Sequence, residues 1–181
     1  MKLWLVRHAA PLVQPGVCYG RTDVPADLES TQAAARALAA ALPNGLLLRC
    51  SSLQRCEQLG SILCGLRHDL TLECDPRLAE MDFGEWEGRS WDELGETTLA
   101  RWTSEFETHR PGGGESVQAF MARVAGAFEE TRAAGREAAW ITHAGVIRAV
   151  QLLASGQQRV REAADWPAGD LPFGSWRVID Y

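Results

Sequence analysis

Leu3-Trp4-Leu5-Val6-Arg7-His8 is the stretch on which the reading of the fold turns, and Trp140-Ile141-Thr142-His143-Ala144-Gly145 repeats its form. In each, a short apolar run ends on a histidine. Ligands of open α/β sheets sit beyond the carboxyl ends of the strands, so both histidines fall where a site would form. Two imidazoles and the Arg7 guanidinium meeting there suit a phosphoryl group. Arginine grips phosphate oxygens in pairs, and a neutral imidazole attacks phosphorus as a nucleophile. Taken singly, each histidine serves equally well as a simple strand cap.

Working outward, apolar runs alternate with helix-like patterns, which is the order of an α/β protein. A loop rich in Gly and Pro runs from Ala10 to about Pro25. Ser30 or Thr31 is placed to cap a helix reaching Leu42, which Pro43-Asn44-Gly45 ends. Leu46-Leu47-Leu48 reads as a short buried strand. Ser51 and Ser52 offer a cap for a helix that carries Arg55, sets Leu59, Ile62 and Leu63 at core spacing, and stops near Gly65. Leu70 to Cys74 alternates like a strand, and Ser90-Trp91-Asp92-Glu93 has the capping-box pattern. After the break at Pro111-Gly112-Gly113-Gly114, Ser116 caps a helix through Arg132 with Phe120, Val124 and Phe128 on one face. Ala138 to Thr142 is the second histidine-terminated strand, Gly145 to Ala154 a helix, and Ser175 to Ile179 a last strand. No repeat or linker divides the 181 residues, so one domain over 1–181 is expected.

Charge narrows the partners. Lys and Arg number 18 against 24 Asp and Glu, a net charge of -6 with no basic cluster. That argues against a nucleic-acid partner, whose binding draws on neutralised phosphates. No uncharged apolar segment approaches the ~20 residues that span a bilayer. Met1-Lys2 leads straight into the first strand without the apolar stretch of a signal peptide, so no membrane partner and a cytoplasmic location are expected. A small phosphorylated metabolite fits a local arginine pocket in an acidic protein, and a homodimer is compatible with the composition. The cysteines Cys18, Cys50, Cys56, Cys64 and Cys74 are odd in number and read as reduced thiols. Cys56, Cys64 and His68 lack paired C-x-x-C spacing, so the two cysteines read as small core residues and no metal is expected. Cys18 falls in the loop expected near the site, where its oxidation would inhibit.

Phosphoryl transfer spreads charge over three equatorial oxygens, so positive groups and positioning carry most of the catalysis. A general acid must also protonate the departing alkoxide. The loop from Glu80 to Glu87 offers Glu80, Asp82, Glu85 and Glu87, and spacing does not choose among them; solvated acid is an equal reading. Trp86 and Trp91 flank this loop, either as an apolar wall for an aromatic leaving group or as core. Gly112-Gly113-Gly114 lacks the lysine and the strand-to-helix context of a P-loop and reads as a flexible turn.

In order along the chain stand Leu5-Val6-Arg7-His8, Gly20-Arg21-Thr22-Asp23 with Gln32-Ala33, Ser51-Ser52-Leu53-Gln54-Arg55, Leu78-Ala79-Glu80 through Gly84-Glu85-Trp86-Glu87-Gly88, Gly113-Gly114-Glu115-Ser116, and Thr142-His143-Ala144-Gly145-Val146-Ile147-Arg148. Each is a weak motif, but the series resembles the histidine phosphatase superfamily over nearly the whole length. That resemblance implies a three-layer αβα sandwich with a mostly parallel central sheet, as in phosphoglycerate mutases. It implies His8 as the phosphorylated nucleophile, Arg7, Arg55 and His143 as the phosphate pocket, and Glu80 as proton donor. It also implies that no cofactor or metal takes part. Gln14, Gly20 and Ala144 fall at its substrate-binding positions. The short length and the acid-loop style resemble the α-ribazole-5′-phosphate phosphatases of cobalamin assembly. A phosphoglycerate-type mutase, or an idle relative that only binds phosphorylated ligands, are the alternatives. The chain departs from the family pattern at Ala9 and Ala144, where glycine is usual, and at Pro11 and Gln14, where threonine and asparagine are common.

Overall fold

The computed structural model describes residues 1–169 and 171–181. Five strands form one sheet: β1 (Lys2–Arg7), β2 (Leu47–Cys50), β3 (Leu72–Cys74), β4 (Ala138–Thr142) and β5 (Trp176–Asp180). Their order is β3-β2-β4-β1-β5. All neighbours are parallel except β5, which closes the β1 edge antiparallel. The central pair is in register from Leu3 opposite Ala138 to Arg7 opposite Thr142, so His8 and His143 leave the sheet side by side.

The period of two along these strands builds the layers. Leu3, Leu5, Ala138 and Trp140 enter one core, which holds Phe120, Val124 and Phe128 of α5 (Val117–Ala133) and Val146, Ile147 and Val150 of α6 (Ala144–Ala154). Val6, Leu48, Ala139 and Ile141 enter the other, with Leu38 of α1 (Leu28–Ala41) and Leu59 and Leu63 of α2 (Gln54–Leu66). The result is the expected three-layer α/β sandwich. The helix after β1 and the helix after β4 lie on opposite faces, which opens a crevice between adjacent strand ends.

Three local readings are corrected. The cap of α1 is Asp27, whose carboxylate accepts from Ser30 N at 2.8 Å, while the Ser30 and Thr31 hydroxyls donate back to the Asp27 carbonyl. Leu28, at the first helical position, is exposed, so the apolar pattern starts later than the helix. Neither Ser51 nor Ser52 caps α2; its cap is Leu53, without a side-chain bond. The capping box at Ser90 is real, but its helix α3 (Trp91–Leu94) stops at Gly95, and α4 (Glu96–Ser104) follows. Gly95 has a φ of 78°, which breaks one helical pattern into two.

Candidate active site

His8 follows β1 directly and is buried, with Nδ1 2.7 Å from the Ala9 carbonyl oxygen. A carbonyl only accepts, so Nδ1 carries the proton and Nε2 keeps a bare lone pair. Burial, helped by the Arg55 and Arg7 charges, holds His8 down at about 3, so the ring is neutral near pH 7. No described residue other than glycine has a positive φ, so the turn at Ala9 does not require the family's usual glycine.

Three more side chains surround this ring. Arg55 sits in the first turn of α2, fully buried, with Nη1 donating to Thr22 O at 2.8 Å and Nη2 to Gly20 O at 2.7 Å. Gly20 therefore meets Arg55 through its carbonyl, a holding contact that spacing did not suggest. Arg7 donates from Nη1 to Leu171 O at 2.6 Å and lays its guanidinium 3.9 Å from the Phe173 ring centre. His143 follows β4 directly, fully buried, its ring 5.1 Å from that of His8. Burial first, then the Arg55 charge, pushes the His143 imidazolium well out of favour.

Arg7 Nε, Arg55 Nε and His143 Nδ1 are buried and find no partner among the described residues. Folded proteins leave very few buried polar groups unpaired. All three belong to side chains that act on or pack against His8, and they are the donors such side chains have left for an anion. Ala144 opens α6 beside them, where first-turn N–H groups favour negative charge.

The structure separates the four acids of the loop. Glu80 accepts from Gly145 N at 3.0 Å and from Met81 N at 3.2 Å, and it lines a cavity. Glu87 accepts from Arg21 N, Thr22 N, the Thr22 hydroxyl and Phe83 N, which pins one loop to the other. Asp82 accepts from Gly84 N at 2.8 Å, and Glu85 is exposed. Arg123, which the sequence reading missed, donates to the carbonyls of Arg77, Ala79 and Glu80 and holds Glu115 bidentately at 2.8 and 2.9 Å. It thereby fixes the backbone that carries Glu80. The glycine run is no loose turn: Gly112 has a φ of 58°, and a Cβ there would strike the Phe83 carbonyl.

The cavity beside Glu80 measures about 490 Å³. Its walls include Phe83, Trp91, Trp102, Phe106 and Trp166. Trp91 and Trp102 stack with ring centres 6.4 Å apart, and Phe83 meets both edge-on. Trp86 is core, packed with Cys18 and Leu94. Burial pushes the Cys18 thiol up to about 12, so it is a poor target for oxidation. Gln14 is exposed, and its side chain makes no hydrogen bond to a described residue. Trp102, Phe173 and Arg123 carry no local sequence signal; each reaches the site through packing of a distant segment.

Residues 3–173 match the histidine phosphatase superfamily, branch 1. The chain belongs to that superfamily. Two adenosylcobalamin/alpha-ribazole phosphatases are similar to it. That of Escherichia coli is 29% identical over 131 residues, covering 68% of this chain. That of Salmonella typhimurium is 32% identical over 130 residues, again 68% of this chain. The match spans 63% of the length of each of these relatives. The crystal structure of TTHB049 from Thermus thermophilus is 34% identical, with a TM-score of 0.74, and the match covers 100% of this chain and 94% of that one.

The depressed His8 has a consequence for stability. Between about 3 and its unfolded value of 6.5, the unfolded chain takes a proton that the native ring refuses. The contribution is full above 6.5 and drains away as the pH falls through that window. Urea midpoints at about pH 7.5 and about pH 4.5 should therefore differ, with the acid value lower. His8→Gln should narrow that gap, and an unchanged gap would refute the depressed value.

Proposed function

We propose that this protein is a metal-independent phosphomonoesterase acting through a phosphohistidine on His8, with α-ribazole 5′-phosphate as its substrate. The observation that carries the chemistry is the trio of unpartnered buried nitrogens around a neutral imidazole whose Nε2 is bare. His8 Nε2 attacks phosphorus while Arg7, Arg55 and His143 hold the equatorial oxygens. Glu80 gives its proton to the leaving alkoxide as the P–O bond breaks. It then takes a proton from the water that cleaves the P–N bond, releasing inorganic phosphate and restoring His8.

The substrate rests on the aromatic cavity and on the names of the two relatives. A flat, apolar base such as the benzimidazole of α-ribazole suits walls of Trp91, Trp102 and Phe83. Its phosphate end would then lie toward Glu80, which lines the same cavity. Among the described residues, no helix is long and apolar enough to cross a membrane.

Phosphate release from a panel of monoesters in excess chelator tests this reading, with α-ribazole 5′-phosphate and 3-phosphoglycerate included. Chelator-resistant release, fastest from the ribazole ester, is expected. Phosphate moved between hydroxyls without release would identify a mutase, and binding without turnover an idle relative. Trp102→Ala should cut the preference for the ribazole ester over 3-phosphoglycerate on the order of 10-fold. Equal losses on both esters would count against the cavity as the specificity site.

A further inference from the structure

We propose that Ser51 is a positioning residue that sets the tautomer of His143, keeping its proton on Nδ1 and its lone pair on Nε2. Ser51 caps no helix; it follows β2, fully buried, with its N–H given to Ile141 O at 2.9 Å. Its Oγ stands 2.8 Å from His143 Nε2. That oxygen already accepts the N–H of Leu53 at 3.2 Å, so its own hydrogen is free to point at the imidazole.

A second hydrogen-bearing group faces the same nitrogen. Cys56 Sγ lies 3.5 Å from His143 Nε2 and 3.7 Å from the Thr142 carbonyl oxygen. The thiol is fully buried, and burial keeps it protonated. Its hydrogen has an acceptor in Thr142 O, which accepts and never donates. With its hydrogen given to Thr142 O the thiol sends none to Nε2, and the Ser51 hydroxyl, whose oxygen already accepts from Leu53 N, is the group that donates to that nitrogen. The ring is neutral, so its one proton resides on Nδ1. Nδ1 is the nitrogen left without a partner among the described residues. An N–H there donates to an entering oxyanion, whereas a bare lone pair would repel it.

The inference rests on the phosphatase reading only for what Nδ1–H meets; the tautomer itself stands apart from turnover. It also accounts for why serine opens the Ser51-Ser52-Leu53-Gln54-Arg55 segment while capping no helix. One short turn supplies both Arg55 and the group that orients its neighbour.

The experiment is long-range proton–nitrogen NMR on the ¹⁵N-labelled full chain, with His143 assigned by His143→Gln. Spectra are taken without ligand and with orthovanadate. The expected wild-type result is a neutral His143 with the proton on Nδ1, its shift moved by vanadate. A neutral ring protonated on Nε2, with Ser51 accepting and passing its hydrogen to Cys56, would overturn the proposal; so would an imidazolium. Ser51→Ala should mix the tautomers and lower kcat/KM roughly 10–100-fold. Ser51→Thr, which keeps the hydroxyl, should keep the wild-type tautomer and most of the rate. An unchanged tautomer in Ser51→Ala would also overturn it. Should the chain release no phosphate from any ester, the wild-type spectrum still decides the tautomer, and only the phosphatase reading falls.

Discussion

His8→Ala is expected to abolish turnover, lowering the rate on the order of 10⁴-fold or more, because it removes the proposed nucleophile and not a helper. The loss should be the same on every ester, since the phosphoryl acceptor is common to all. Phosphate affinity should persist, for Arg7 Nε, Arg55 Nε and His143 Nδ1 all stay in place. A chase with labelled substrate, quenched in alkali where phosphohistidine survives, should mark the wild type and leave the variant blank. Wild-type turnover without labelling, or equal rates in the two proteins, would sink the phosphohistidine route.

The sheet and the polar residues at its strand ends were legible in sequence for one physical reason. β1 and β4 are nearly solid apolar runs buried on both faces, and each ends on a polar residue that a core cannot keep without a purpose. Arg7, His8 and His143 stand out because burial makes their polarity conspicuous. Arg55 was readable for the same reason, one turn into a helix after a short strand. Cap positions were less legible. Asp27, Ser30 and Thr31 are all good capping residues within one turn, and only the backbone angle at Asp27 separates them.

The support of the site was the illegible part. Arg123 lies on α5, more than one element away from Glu80 in sequence, and looks like any helix-surface arginine. Its meaning comes from the three carbonyls it meets across the core. Phe173 and Leu171 reach Arg7 from the segment before β5, over 160 positions along the chain. Trp102 shares a helix with no buried residue, so periodicity marks it as surface, yet it faces Phe83 and Trp91. Long-range packing decided each of these. What separates Glu80 from Glu87 is likewise geometric, since Glu87, two residues beyond Glu85, spends its carboxylate on backbone N–H groups of another loop.

Glu80→Gln should split substrates by leaving group, and that split is the sharpest test of the acid. An alkyl phosphate such as the ribazole ester expels a strongly basic alkoxide, so losing the proton donor should cost about 10²–10⁴-fold. A nitrophenyl phosphate expels a stable phenolate that needs no proton, so its first step should be nearly spared. Glutamine keeps the shape and can still accept from Gly145 N, so the turn into α6 remains intact. The same variant lacks the base that activates water, so phosphohistidine on His8 should build up with the nitrophenyl ester. A burst of nitrophenolate followed by slow turnover is then expected, with kcat falling more than kcat/KM. Uniform loss on both esters would move Glu80 out of the acid role and leave it as a group that merely shapes the start of α6. In that event Asp82 would have to be considered, although it caps Gly84 at 2.8 Å and lies among Arg21, Arg110 and Glu115. Its geometry there suits a loop anchor far better than a proton donor to a leaving group beside His8.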